Sequence, residues 1–76
     1  MSFQAYLDNI QTRTGQSPAD FRRYAEWQGY TENGALKPGM KAGTIVAGLK
    51  RDFDLGHGHA MAIVALLKGT KQEGDA

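Results

Sequence analysis

The chain has no cysteine, two histidines, two prolines and one tryptophan among its 76 residues. Without cysteine there is no disulfide framework, no thiolate nucleophile and no cysteine-based zinc site. The only serines are Ser2 and Ser17. Both stand just before helical patterns and read as caps, so neither is a candidate nucleophile. Neither sign of charge dominates: nine Lys and Arg stand against eight Asp and Glu, a net charge of +1. That balance argues against a basic nucleic-acid-binding tail and against a basic membrane-surface helix. No run approaches the ~18 apolar residues of a membrane span. The opening MSFQAYLDNIQ has neither the basic nor the apolar part of a secretory signal. The expected compartment is by default the cytoplasm, with no membrane partner and no cofactor.

What is present suits a folded domain. Apolar residues make up 41% of the chain, too many for a disordered segment. The length allows one domain, expected over residues 1–69, with a flexible polar tail at 70–76. A domain this small buries only about 60% of the surface its unfolded chain exposes, so each large apolar residue is expected in the core.

Four helices are legible. Ser2 caps the first, in which Phe3, Tyr6, Leu7 and Ile10 share one face before Gly15 ends it. The second opens on Ser17-Pro18-Ala19-Asp20, a cap followed by Pro at the first helical position and an acid placed for a capping box. Its expected core stripe is Phe21, Tyr24, Ala25 and Trp27, opposite Arg22, Arg23 and Glu26, and Gly29 stops it. Residues 30–40 read as a loop with turn signals at Asn33-Gly34 and Pro38-Gly39, and a short hairpin around Asn33-Gly34 fits. The third helix is expected over Met40–Phe53, with Ala42, Ile45, Val46, Leu49 and Phe53 on one side. There Gly43 and Gly48 each weaken the helix by roughly 1 kcal/mol or admit a close neighbour. The fourth is expected over Gly58–Lys68, apolar all round the wheel and therefore central. The fold class is thus a small all-α domain of four helices. A buried C-terminal helix lies at its centre, and the last two helices form a helix-turn-helix-like or helix-hairpin-helix-like pair.

One segment stands out chemically. Asp52-Phe53-Asp54-Leu55-Gly56-His57-Gly58-His59 joins the last two helices. The start of a helix leaves N–H groups unpaired and favours negative charge, glycines admit a phosphate to the backbone, and imidazoles add donors. On this reading Gly56, His57, Gly58 and His59 form an anion or phosphate site. The pattern Leu55-Gly56-His57-Gly58, with Ala62 four residues after the second glycine, resembles the hairpin of helix-hairpin-helix DNA-binding motifs. It differs in having Leu55 for the usual Pro and His57 for the usual apolar residue. A second reading is a metal site from His57, His59, Asp52 and Asp54. Helical residues two apart point about 200° from each other, so it requires a non-helical turn. A third reading is structural: the glycines make a sharp turn, and the histidines cap the helix or pair with Asp52 or Asp54. Nothing sets Asp52 and Asp54 across a cleft, so no catalytic residue is expected and the chain reads as not an enzyme.

Trp27, Tyr24 and Tyr30 near Arg22 and Arg23 suggest an aromatic–basic patch for single strands. The expected core placement of Tyr24 and Trp27 opposes it. A recognition helix in the fourth position is opposed by its want of a polar face.

MSFQAYLDNI, the Ser17-Pro18-x-Asp20-Phe21 cap and Lys41-Ala42-Gly43 leading to LGHGHAMAIVALLK together resemble a short bacterial family, domain of unknown function 4287. Members often carry Gly where this chain has Asp54. The resemblance implies a small helical domain found alone or as a module, and no established activity. The functional expectation is a non-enzymatic binding module that uses the turn at 55–59 for phosphate or nucleic-acid backbone. The alternative is a protein-interaction or homodimerisation module that buries Met61, Leu66 and Ala62.

Overall fold

A computed structural model describes residues 2–74. Helices α1 (Phe3–Thr14), α2 (Pro18–Gln28), α3 (Ala42–Phe53) and α4 (His57–Lys68) carry the fold, and strands β1 (Thr31–Glu32) and β2 (Ala35–Leu36) lie between α2 and α3.

The first two helices start where local chemistry dictates. The Ser2 hydroxyl accepts from the Ala5 N–H at 3.2 Å. In α2 the box is reciprocal: Ser17 Oγ accepts from the Asp20 N–H at 3.2 Å, and Asp20 Oδ2 accepts from the Ser17 N–H at 2.9 Å. Those bonds from Ser17, with Arg23 nearby, hold the Asp20 carboxyl below its usual range. Gly15, Gly29 and Gly69 end their helices in the left-handed conformation. At the end of α2 the Tyr30 N–H reaches back to the Ala25 carbonyl at 2.8 Å, a Schellman closure that turns Tyr30 inward, where it is buried.

The segment after α2 is a hairpin. Thr31 pairs with Leu36 and Glu32 with Ala35. Asn33 and Gly34 both have positive φ (55° and 81°), the requirement of the tight turn whose twist matches two short strands. Gly39, at φ 81°, then completes a Pro38-Gly39 turn closed by the Met40 N–H on the Lys37 carbonyl at 3.0 Å, and the chain enters α3.

α4 is central: it packs against α1, α2, α3 and β2. Ala60, Ala62, Ile63, Val64, Leu66 and Leu67 are buried, joined in the core by Phe3, Leu7, Ile10, Phe21, Ile45 and Leu49. One stripe still faces outward, with His57, Met61 and Lys68 exposed and Ala65 half-buried. Among the described residues no helix is long and apolar enough to cross a membrane.

Trp27 corrects the expected core stripe of α2. It is 83% exposed, whereas Phe21 and Ala25 are buried. At 3.6 residues per turn Trp27 falls about 120° from Phe21, among Asp20, Arg23 and Glu26. The space that a third large residue would take is filled from α3 and the hairpin instead. Phe53 meets Phe21 and Tyr24 edge-on at 5.1 and 4.9 Å, and Tyr24 meets Tyr30 at 6.1 Å. Gly48 makes room for this aromatic row. A Cβ there would overlap the Tyr30 hydroxyl and lie 3.3 Å from that of Tyr24, so the close neighbour is a pair of tyrosines.

Two predictions follow from this packing. Gly48→Ala should destabilise by about 1–3 kcal/mol through overpacking, and Tyr30→Phe in the same chain should recover part of the loss. Urea midpoints of the two single variants and the double variant check this. Ile63→Asp places a carboxylate at the fully buried centre of α4, and loss of the cooperative thermal transition is expected.

Candidate functional site

The link between α3 and α4 is Asp54-Leu55-Gly56. Leu55 is buried and pins the link to the core. The bend is made at Asp54, which sits in the left-handed conformation (φ 55°, ψ 37°) and closes α3 through its N–H on the Lys50 carbonyl at 3.0 Å. Gly56 has φ −70°, which any residue adopts, and Gly58 has no positive φ. A Cβ on either would meet none of the described residues within 4 Å. Neither the backbone nor the packing therefore demands glycine at these two positions. That removes the sharp-turn explanation for both glycines.

α4 begins one residue earlier than expected, so His57, Gly58 and His59 form its first turn. The first bond of the helix runs from the Ala60 N–H to the Gly56 carbonyl at 2.9 Å. The N–H groups of His57, Gly58 and His59 thus have no acceptor within the helix. Among the described residues no side chain caps them, unlike the serine-capped starts of α1 and α2. Gly56, His57 and Gly58 are exposed.

The two histidines part company. His57 points to solvent, while His59 is half-buried with its ring edge-on to Tyr6 at 5.7 Å and 77°. Both are helical, so their side chains diverge. Among the described residues no three of His, Asp and Glu come together as a metal-sized group.

The carboxylate read as a histidine partner is held elsewhere. Asp52 Oδ2 accepts from Tyr24 Oη at 2.5 Å, and the Arg51 guanidinium donates to both Asp52 oxygens at 2.9 Å. The bonds from Arg51 and then Tyr24 hold the Asp52 carboxyl down at about 2. Burial, and then the bond to Asp52, push the Tyr24 phenol well above its ordinary value. This cluster ties α2 to the end of α3 and leaves the start of α4 without a nearby acid from Asp52. The sequence contains no local sign of the Tyr24–Asp52 bond, because the two residues are 28 positions apart.

Asp54 is the residue through which the link is open to stability. An L-residue other than glycine in the left-handed region carries a steric penalty, reduced but not removed for Asp. Asp54→Gly should therefore raise stability by roughly 0.5–1 kcal/mol, read as a higher urea midpoint at an unchanged slope.

The model of the family catalogued as domain of unknown function 4287 matches residues 2–69. No curated protein and no solved structure gives a match. The match spans all four helices and the bare first turn of α4. At position 54 the left-handed bend (φ 55°) is one that glycine would adopt without strain. The chain belongs to domain-of-unknown-function family 4287.

Proposed function

We propose that the domain is a non-enzymatic binding module whose working surface is the Gly56–His59 turn, and that the turn takes a phosphate or another oxyanion, including nucleic-acid backbone. One observation carries the reading. Two glycines stand at the start of α4 where neither backbone angle nor packing asks for them, and together they keep three N–H groups uncovered. Glycine within a helix costs about 1 kcal/mol relative to alanine. An anion bonded to those N–H groups gains from the helix dipole and needs the bare backbone to approach. His57, exposed in the same turn, is a further donor to it. His59 is turned toward Tyr6 and contributes its N–H. The proposed compartment is the cytoplasm, in keeping with a core that closes without disulfides.

A second reading, self-association, is favoured by one observation: Met61 is 40% exposed on the outward stripe of α4. Its surface is smaller than first expected, because Ala62 and Leu66 are buried within the chain.

The test is a backbone-amide NMR titration with inorganic phosphate at low and at high salt. Saturable shifts at 56–60, lost at high salt, are expected. Gly56→Asp supplies an internal carboxylate cap. It should gain a few tenths of a kcal/mol in stability and abolish those shifts. His57→Ala should weaken binding with the fold intact. α3 also starts without a side-chain cap, at Lys41, and serves as the internal control. Absence of shifts at 56–60, or equal shifts at 42–44, would overturn the proposal. Shifts that grow with protein concentration alone would favour self-association.

A further inference from the structure

Beside α2, at the far end of α4 from the turn, lies a cleft. Arg22, Arg23 and Glu26 line one side, and Leu66 and Leu67 form its floor. Trp27 lines an adjoining depression, which shares Arg23 and Glu26 with the cleft. About ten residues of helix at 1.5 Å each, roughly 15 Å, separate this cleft from the Gly56–His59 turn.

Three features bear on what it holds. Trp27 is the most exposed large apolar side chain among the described residues, in a chain too small to spare one from the core. Tryptophan and arginine are the residues that most often dominate protein–protein contacts. Most directly, a carboxylate already sits on this edge. Arg22 donates through both terminal nitrogens to Glu73, at 2.9 and 2.5 Å, a fork matched to a carboxylate. Glu73 lies beyond the family match, which ends at residue 69. The neighbouring Gly74 N–H reaches Gln4 Oε1 at 2.7 Å, so this part of the tail is laid across α1 and α2. Both Arg22 and Glu73 remain nearly half exposed, 45% and 44%. Surface pairs of this kind are weak and exchange readily.

We infer that the cleft is a docking site for an acidic, leucine-bearing peptide segment of a partner protein, and that Glu73 is an intramolecular competitor for Arg22. The partner's carboxylate replaces that of Glu73 on the guanidinium, one apolar side chain enters the cleft over Leu66 and Leu67, and another rests on Trp27 in the adjoining depression. A nucleic-acid strand fits less well. Glu26 lies in the cleft and Arg23 is engaged with Asp20 on its own helix, which leaves Arg22 as the exchangeable cation of the cleft, a match for a single carboxylate and not for a run of phosphates.

The probe is a capped hexapeptide with one glutamate and two leucines among serines, with its glutamine counterpart as control. Binding is read by Trp27 fluorescence, the single tryptophan of the chain, and by amide shifts. Saturable shifts at 22–27 and 66–67 with the glutamate peptide alone are expected. Glu73→Gln should tighten binding about threefold by removing the competitor. Arg22→Gln should weaken it about tenfold. Trp27→Ala should weaken binding at unchanged thermal midpoint. Equal binding of the glutamine peptide would overturn the proposal, as would no binding to either the native chain or Glu73→Gln. Shifts at the same residues with oligothymidylate but not with the peptide, or with rising protein concentration alone, would also overturn it, in favour of nucleic acid or a second copy. Because the two sites occupy opposite ends of α4, a failure here leaves shifts at 56–60 unaffected.

Discussion

α4 spreads its buried side chains over roughly 200° of its circumference, from Ala62 through Ile63 and Leu67 to Val64. No single neighbour covers so wide an arc. α1, α2, α3 and the β-hairpin each take a sector of it. The burial of such a helix is the main source of apolar stabilisation open to a chain of this size, at about 25 cal/mol per Å². The other elements are arranged by that demand. What remains uncovered on α4 is a narrow stripe and the two helix ends, and both candidate binding surfaces lie at those ends.

The second constraint is the aromatic row from Phe21 through Phe53 and Tyr24 to Tyr30. It locks α2, the hairpin and the end of α3 into one unit, and the bare backbone at Gly48 is what allows the tyrosine hydroxyls to approach. Tyr24 then engages Asp52. This affects the start of α4 indirectly. With Asp52 held by Tyr24 and Arg51, that carboxylate is not a cap or a histidine partner for the adjacent turn, and the first turn of α4 keeps its unpaired N–H groups.

The division of labour within the link follows from backbone geometry. Asp54 makes the bend, Leu55 anchors it, and Gly56 and Gly58 do neither. A Gly/His-rich connector is most simply understood as a tight turn. Here the bend falls at Asp54, and Gly56 and Gly58 are both exposed with φ angles that other residues adopt.

The sequence by itself determined the helices and most of their ends. Ser2, Ser17-Pro18, Gly15, Gly29 and Gly69 act on backbone groups within a few residues, so their effect is local and legible. The hairpin turn at Asn33-Gly34 is legible for the same reason. The centrality of α4 could be read from its apolar pattern, since a helix of that kind has to be enclosed. Tertiary structure decided the rest. Which ring lies against Phe21 depended on where the end of α3 meets α2. The partner of Asp52 depended on how α2 crosses α3, and the parting of His57 from His59 on α4 beginning at His57. The seat of Glu73 on Arg22 joins positions 51 residues apart. Each of these is a competition between side chains distant in sequence for one volume or one charge, and only the packed chain resolves it.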